Sequence, residues 1–177
     1  MRIIRGTHRG RRIAAPKGLP VRPTTDLAKE SLFNILDNHL YFDDIRVLDL
    51  YAGTGSISYE FASRGSQQVI AVDLNPRCVR YISETATQLG FSQLKSIRSS
   101  SIGFLKHCHE KFDLIFADPP YDLKGIEEVI DLVFERQLLA DGGWLILEHE
   151  VRKDFSSFPN FTEHRNYGKV NFSFFRK

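Results

Sequence analysis

The chain has 177 residues, 42% of them hydrophobic, and a net charge of +2. That is enough apolar material for one well-buried domain and too much for a disordered chain. No apolar run reaches the length of a membrane span, the basic opening MRIIRGTHRGRR lacks the apolar centre of a secretory leader, and the two cysteines, Cys78 and Cys108, make no disulfide framework and fit a reducing cytosol.

The charge is unevenly spread. Residues 1–25 carry Arg2, Arg5, Arg9, Arg11, Arg12, Lys17 and Arg22 and no acid, so this head stands at +7 and the other 152 residues at −5. A basic head on a mildly acidic body implies a polyanionic partner. Ile3, Ile4, Ile13, Leu19 and Val21 argue against a merely solvated tail. RII and RRIAA flank GTHRG, which predicts a small β-hairpin. Asp26, or Thr25 before it, is placed to cap a helix over residues 27–40, with Glu30 completing a capping box. Leu27, Ser31 and Ile35 with Leu32, Leu36 and Leu40 form its expected apolar stripe.

A regular alternation follows. Strands are expected over 45–52, 67–73, 94–100, 112–118 and 142–150, and helices over 56–65, 76–90, 102–110 and 124–137. Near-continuous apolar strands separated by helices predict a parallel sheet covered on both faces. The alternating segments FTEHRNYG and KVNFSFFRK add an antiparallel pair at the sheet edge. The expected organisation is an α/β domain over 25–177 with residues 1–24 as a basic appendage.

Three motifs carry chemistry. In Asp49-Leu50-Tyr51-Ala52-Gly53-Thr54-Gly55 a strand ends in an acid and a glycine turn opens a helix, the place where open parallel sheets bind cofactors. Ser58 stands where a dinucleotide fingerprint needs a third glycine, so a nicotinamide enzyme is not supported. Asp73 ends the next strand, where an acid can accept from ribose hydroxyls; the plainer alternative is a cap for the helix that starts at Pro76. Asp118-Pro119-Pro120-Tyr121 ends a later strand on a stiff corner. Prolines carry no N–H and leave their carbonyls to accept, so the carboxylate and a backbone carbonyl can receive the two N–H groups of an exocyclic amine while the tyrosine ring stacks on its base. His107-Cys108-His109 has no metal-ligand logic and is read as solvated helix surface.

The sequence of these motifs resembles Rossmann-like (class I) S-adenosylmethionine-dependent methyltransferases that act on amino groups. The basic head, VRPTTDLAKESLFNIL, LDLYAGTGSISYEFASRG, FDLIFADPPY, LILEHE and YGKVNFSFF together resemble the RsmD family of bacterial 16S rRNA (guanine-N2)-methyltransferases over essentially the whole chain. The resemblance implies a seven-stranded, mostly parallel sheet, S-adenosylmethionine as cofactor, no metal, and small-subunit ribosomal RNA or the assembling subunit as partner. It implies a cytoplasmic protein, and a large ribosomal substrate favours a monomer. Thr24 and Thr25 would then lie near the methionine end of the cofactor. Asp49, Tyr51, Ala52, Gly53 and Gly55 would form the cofactor loop, Asp73 and Leu74 would hold the nucleoside, and Asp118 to Tyr121 would receive the guanine. Ser100 stands where family members often carry an acid for the adenine amine, so adenine recognition is expected to be rearranged. A DNA amino-methyltransferase and an RNA-binding protein with a vestigial cofactor pocket are the competing readings. No separate DNA-reading domain supports the first, and the intact motifs oppose the second.

Overall fold

The structure, a computed structural model, describes residues 1–15, 19, 26–120, 123 and 125–177. Its elements run α1 (Asp26–Leu36), β1 (Arg46–Leu50), α2 (Ser56–Ser63), β2 (Gln68–Asp73), α3 (Pro76–Gln88), β3 (Leu94–Arg98), α4 (Ser101–His107), β4 (Phe112–Ala117), α5 (Glu127–Glu135), β5 (Leu139–His149), β6 (Phe161–Tyr167) and β7 (Val170–Arg176). One seven-stranded sheet has the order β3-β2-β1-β4-β5-β7-β6. The first five strands are parallel, and β7 runs antiparallel to both β5 and β6. The chain winds outward from β1 through β2 to β3 and then returns to β4 on the other side of β1. That reversal opens a crevice at the carboxyl ends of β1 and β4.

Alternation along each strand divides the core in two. Val47, Val69, Ala71, Leu114, Phe116, Ile146, Phe172 and Phe174 pack against α1, α2 and α3. Leu48, Leu50, Ile70, Val72, Ile115, Ala117, Leu145 and Leu147 pack against α4 and α5. Helix α1 ends at Leu36 rather than at residue 40, and it buries Ala28, Lys29, Leu32, Phe33 and Leu36. The expected stripe is thereby corrected: Leu27 stands 73% exposed, and Phe33, tilted against Phe61 at 4.7 Å, takes the core position. Glu30 pairs with Arg2 at 3.9 Å; Thr25 lies outside the described residues.

The head is a hairpin built on one antiparallel bridge, Arg2 to Arg12. It is fastened to α2. Ile3 is buried in the core. Ile4 N and Arg5 N donate to the two carboxylate oxygens of Glu60 at 2.8 and 3.0 Å. Thr7 N donates to Ser63 O at 2.7 Å. Gly6, at φ +85°, passes so close that a Cβ there would lie 1.8 Å from Ser63 O, so only glycine fits. Beneath the hairpin, the buried Lys29 ammonium donates to Arg2 O at 2.6 Å and to Ser56 Oγ at 3.2 Å, and pairs with Glu60 at 3.7 Å. Arg64 bonds Glu60 at 3.0 Å and lies over the Phe33 ring at 4.6 Å.

Candidate active site

Three acids meet at the β1/β4 crevice. Asp49 lies on the sheet face of Phe116, its register partner, and is 2% exposed. Ser58 Oγ donates to its Oδ2, so the residue that excludes a dinucleotide fingerprint anchors the first acid. Burial pushes the Asp49 carboxyl up to about 7; the Ser58 bond opposes the shift, and the charges of Asp118 and Asp73 add to it.

The turn after β1 is conformationally specialised. Tyr51 at φ 60°, Gly53 at φ 56° and Gly55 at φ 78° all lie in the left-handed region. For tyrosine that is a strained choice of the kind concentrated at functional loops. A Cβ on Gly55 would meet Ile82 Cγ1 and Tyr59 Cζ at 2.9 Å. Ala52 N donates to Val72 O at 3.0 Å and ties the turn to β2. Burial raises the Tyr51 phenol above its ordinary value.

Asp73 organises this loop. One of its carboxylate oxygens accepts from Gly53 N at 2.8 Å and the other from Asn75 N at 2.7 Å. The helix cap is Asn75, whose side chain accepts from Arg77 N at 2.9 Å, so Asp73 is not the cap of α3. Asp73 is half-buried and keeps lone pairs for further donors. Leu74 beside it is 67% exposed, and Ile102, at the start of α4, is half-buried. Ser100 is the N-cap of α4, its hydroxyl oxygen accepting from Gly103 N at 3.0 Å. The Ser100 hydroxyl therefore already has a structural duty, with one lone pair committed to the cap and its proton and second lone pair remaining.

Asp118 follows β4 with its N–H on Leu50 O at 3.4 Å, and is half-buried. Pro119 is buried and Pro120 exposed. The two carbonyls are not equivalent: Pro120 O already accepts from Leu123 N at 2.9 Å, so one of its lone pairs is committed within the chain. A small cleft of about 10 Å³ adjoins this corner, lined by Pro119, Pro120, Glu148, His149 and Lys153 among others. Glu148 is the residue that sequence reading left without a role. An acid closing the apolar run LILE is the signal that could have found it.

Of the other expected residues, Tyr121, Thr24, Thr25, Lys17 and Arg22 lie outside the described residues. Arg2, Arg5, Arg9, Arg11 and Arg12 are exposed. Arg5 pairs with Asp37 at 2.7 Å. Arg9, Arg11 and Arg12 have no ion-pair partner among the described residues. Cys108 is buried and caps the end of α4, so the His107–His109 stretch is not all solvated surface.

A protein family described as "Conserved hypothetical protein 95" matches residues 1–176. The Escherichia coli relative named ribosomal RNA small subunit methyltransferase D is 30% identical, over 93% of this chain and 83% of its own. The Haemophilus influenzae protein of the same name is 32% identical, over 92% and 85%. A solved Escherichia coli structure, described as the putative methyltransferase yhhF, has a TM-score of 0.88 and 28% identity, covering 100% of this chain and 97% of its own. With the glycine loop, Asp73 and the Asp118 corner in one crevice of this sheet, the chain belongs to the Conserved hypothetical protein 95 family of methyltransferases, the family of ribosomal RNA small subunit methyltransferase D.

Proposed function

We propose that this protein transfers a methyl group from S-adenosylmethionine to the exocyclic N2 of a guanine in small-subunit ribosomal RNA, in the cytoplasm and as a monomer. The observation that carries the reading is the convergence of Asp49, the Gly53–Gly55 turn, Asp73 and Asp118 on one crevice, with a basic hairpin fastened to the helix that leaves the same turn.

The residues present suit the cofactor. Asp73 offers free lone pairs to ribose hydroxyls, Leu74 and Ile102 offer apolar faces to adenine, and the acids Asp49 and Asp118 suit a cationic methionine end. Bound S-adenosylmethionine supplies a methyl group already activated on a sulfonium. What remains for the protein is placement and the handling of one proton. Asp118 and the Pro119 carbonyl accept the two N–H groups of the amine and turn its lone pair toward the methyl carbon. The N–C bond forms as the C–S pair returns to sulfur, and the amine's proton passes to Asp118. Tyr121 is the aromatic for the unstacked base. Arg9, Arg11 and Arg12 supply phosphate contacts that position RNA without reading its sequence.

The test is methyl transfer from labelled S-adenosylmethionine to unmodified small subunits, to their naked RNA and to duplex DNA, with the product nucleoside identified. Label in N2-methylguanosine is expected; label in N6-methyladenine or N4-methylcytosine of DNA would transfer the assignment to the DNA enzymes. In the same assay Asp118→Ala is expected to keep cofactor affinity and lose turnover by roughly 100-fold or more.

A further inference from the structure

Glu148 is a second carboxyl at the amine corner, and the transfer described above makes no use of it. β4 and β5 are parallel, with Ala117 opposite Leu147, so Asp118, the first residue past β4, and Glu148 on β5 both follow that pair, on the side of the sheet opposite to Ala117 and Leu147. From β7 the residue opposite Glu148 is Phe172, fully buried and without charge. Glu148 is 3% exposed, and its Oε2 has no hydrogen-bond partner among the described residues. Lys29, the buried cation on this face, is paired with Glu60. His149, the next residue along β5, turns to the opposite face, where its ring nitrogens meet Ser173 Oγ and Glu150 O at 2.8 Å. Lys153 lines the same cleft but donates to Leu123 O at 3.3 Å, so among the described residues no cation pairs with Glu148, and a buried carboxyl without such a pair holds its proton.

Burial first, then the neighbouring charge of Asp118, pushes the Glu148 carboxyl up to about 9. Of two coupled acids, the one better reached by water ionises first. Asp118 is half-buried and Glu148 is sealed, so Glu148 is the acid that burial and its neighbour's charge keep protonated. An unpartnered buried polar group weakens a fold, and leucine would fill this strand position at no such cost.

We propose that Glu148 is a positioning residue for methyl transfer, an uncharged acid that donates a hydrogen bond to Asp118 once the target amine fills the corner. This rests on the amino-methyltransferase reading given above. Asp118 must be ionised and must present one oxygen to the amine. A donor on its other oxygen fixes the rotation of the carboxylate without neutralising it. Glu148 keeps its proton throughout, and the proton released by the amine goes to Asp118 and then to water. Above about pH 9 Glu148 ionises, the donor is lost, and two negative charges face each other.

The test compares wild type, Glu148→Gln and Glu148→Leu from pH 6 to 10 in transfer to unmodified small subunits, with cofactor titration and thermal unfolding at each pH. Glu148→Leu is expected to lose roughly 10- to 100-fold in kcat with cofactor affinity unchanged. Glu148→Gln, whose amide N–H replaces the acid proton, recovers most of that loss at neutral pH and stays active above pH 9, where wild type falls. Glu148→Leu at the wild-type rate overturns the proposal. So does a folded Glu148→Gln as slow as Glu148→Leu. Unfolding gives a second arm that needs no substrate. The folded state holds a proton that the unfolded chain releases near 4.5, so wild type loses stability relative to Glu148→Gln as the pH rises from there to about 9. A difference independent of pH overturns the uncharged acid. If wild type methylates no ribosomal substrate, the methyltransferase reading fails, and the unfolding arm still decides the state of Glu148.

Discussion

Asp49 holds its proton at a pH where most aspartates have lost theirs. Burial is the main cause, and its value of about 7 places the change of charge in the physiological range. A cationic ligand in the crevice favours the ionised form. Below pH 7 binding must first expel the proton, and above it the carboxylate is already formed. Cofactor affinity is therefore expected to strengthen from pH 6 to 8, by up to roughly tenfold per unit at the acid end, with proton release on binding. Asp49→Asn should flatten the profile. Calorimetric titration in buffers of different ionisation heat measures both effects, and a flat wild-type profile would remove Asp49 from the cofactor's surroundings. Asp49, Asp73 and Asp118 were legible in the sequence because each sits at the end of an apolar strand. The duty of Pro120 O in a turn was not legible, because it depends on where Leu123 N falls in space.

At the level of elements, the hairpin and α2 behave as one unit because of Glu60. It is fully buried, accepts from two backbone N–H groups of the head and from Arg64, and pairs with Lys29. Glu60→Gln puts an amide against one of those N–H groups and leaves Lys29 without a counter-charge. A loss of about 3–5 kcal/mol is expected in denaturant unfolding, with faster tryptic cleavage at Arg9–Arg12 than in wild type. Unfolding at the wild-type midpoint would show that Ile3 packing and the Ser63 hydrogen bonds hold the head without Glu60. The strands lie where they were expected, although β5 starts at Leu139 rather than at residue 142 and β3 is largely exposed, and the helices were read from Pro76, Gly65 and Gly90 at their ends. Lys29 and Glu60 were not legible. On a helix each reads as a solvated charge, and the partners that bury them lie some 27 to 56 residues away.

At the scale of the whole molecule, the head is a segment of positive charge with no acid of its own on a body that is net negative. Arg9, Arg11 and Arg12 carry the free guanidinium groups of the described head, while Arg2 and Arg5 face acids of the same chain. Replacing the three with alanine is expected to weaken binding to small-subunit RNA and to lower the slope of log affinity against log salt by roughly 2–3, leaving cofactor affinity unchanged. Filter binding across a salt series measures this, and an unchanged slope would place the phosphate contacts elsewhere. The mostly parallel sheet with its antiparallel edge pair was expected from the alternation of elements, while the order of the strands within it was not read from the sequence. The way the head fastens was not expected, because its contacts are distant in sequence. That distance also bears on how the protein is made. Residues 3–8 leave the ribosome before α2 exists, so their backbone N–H groups have no Glu60 or Ser63 to meet until residues 56–63 have followed them out. During those seconds of synthesis a short, strongly basic, unfolded segment is exposed next to ribosomal RNA. The chain closes that interval itself: α2 both follows from the cofactor turn and supplies the Glu60 and Ser63 acceptors that fold the head.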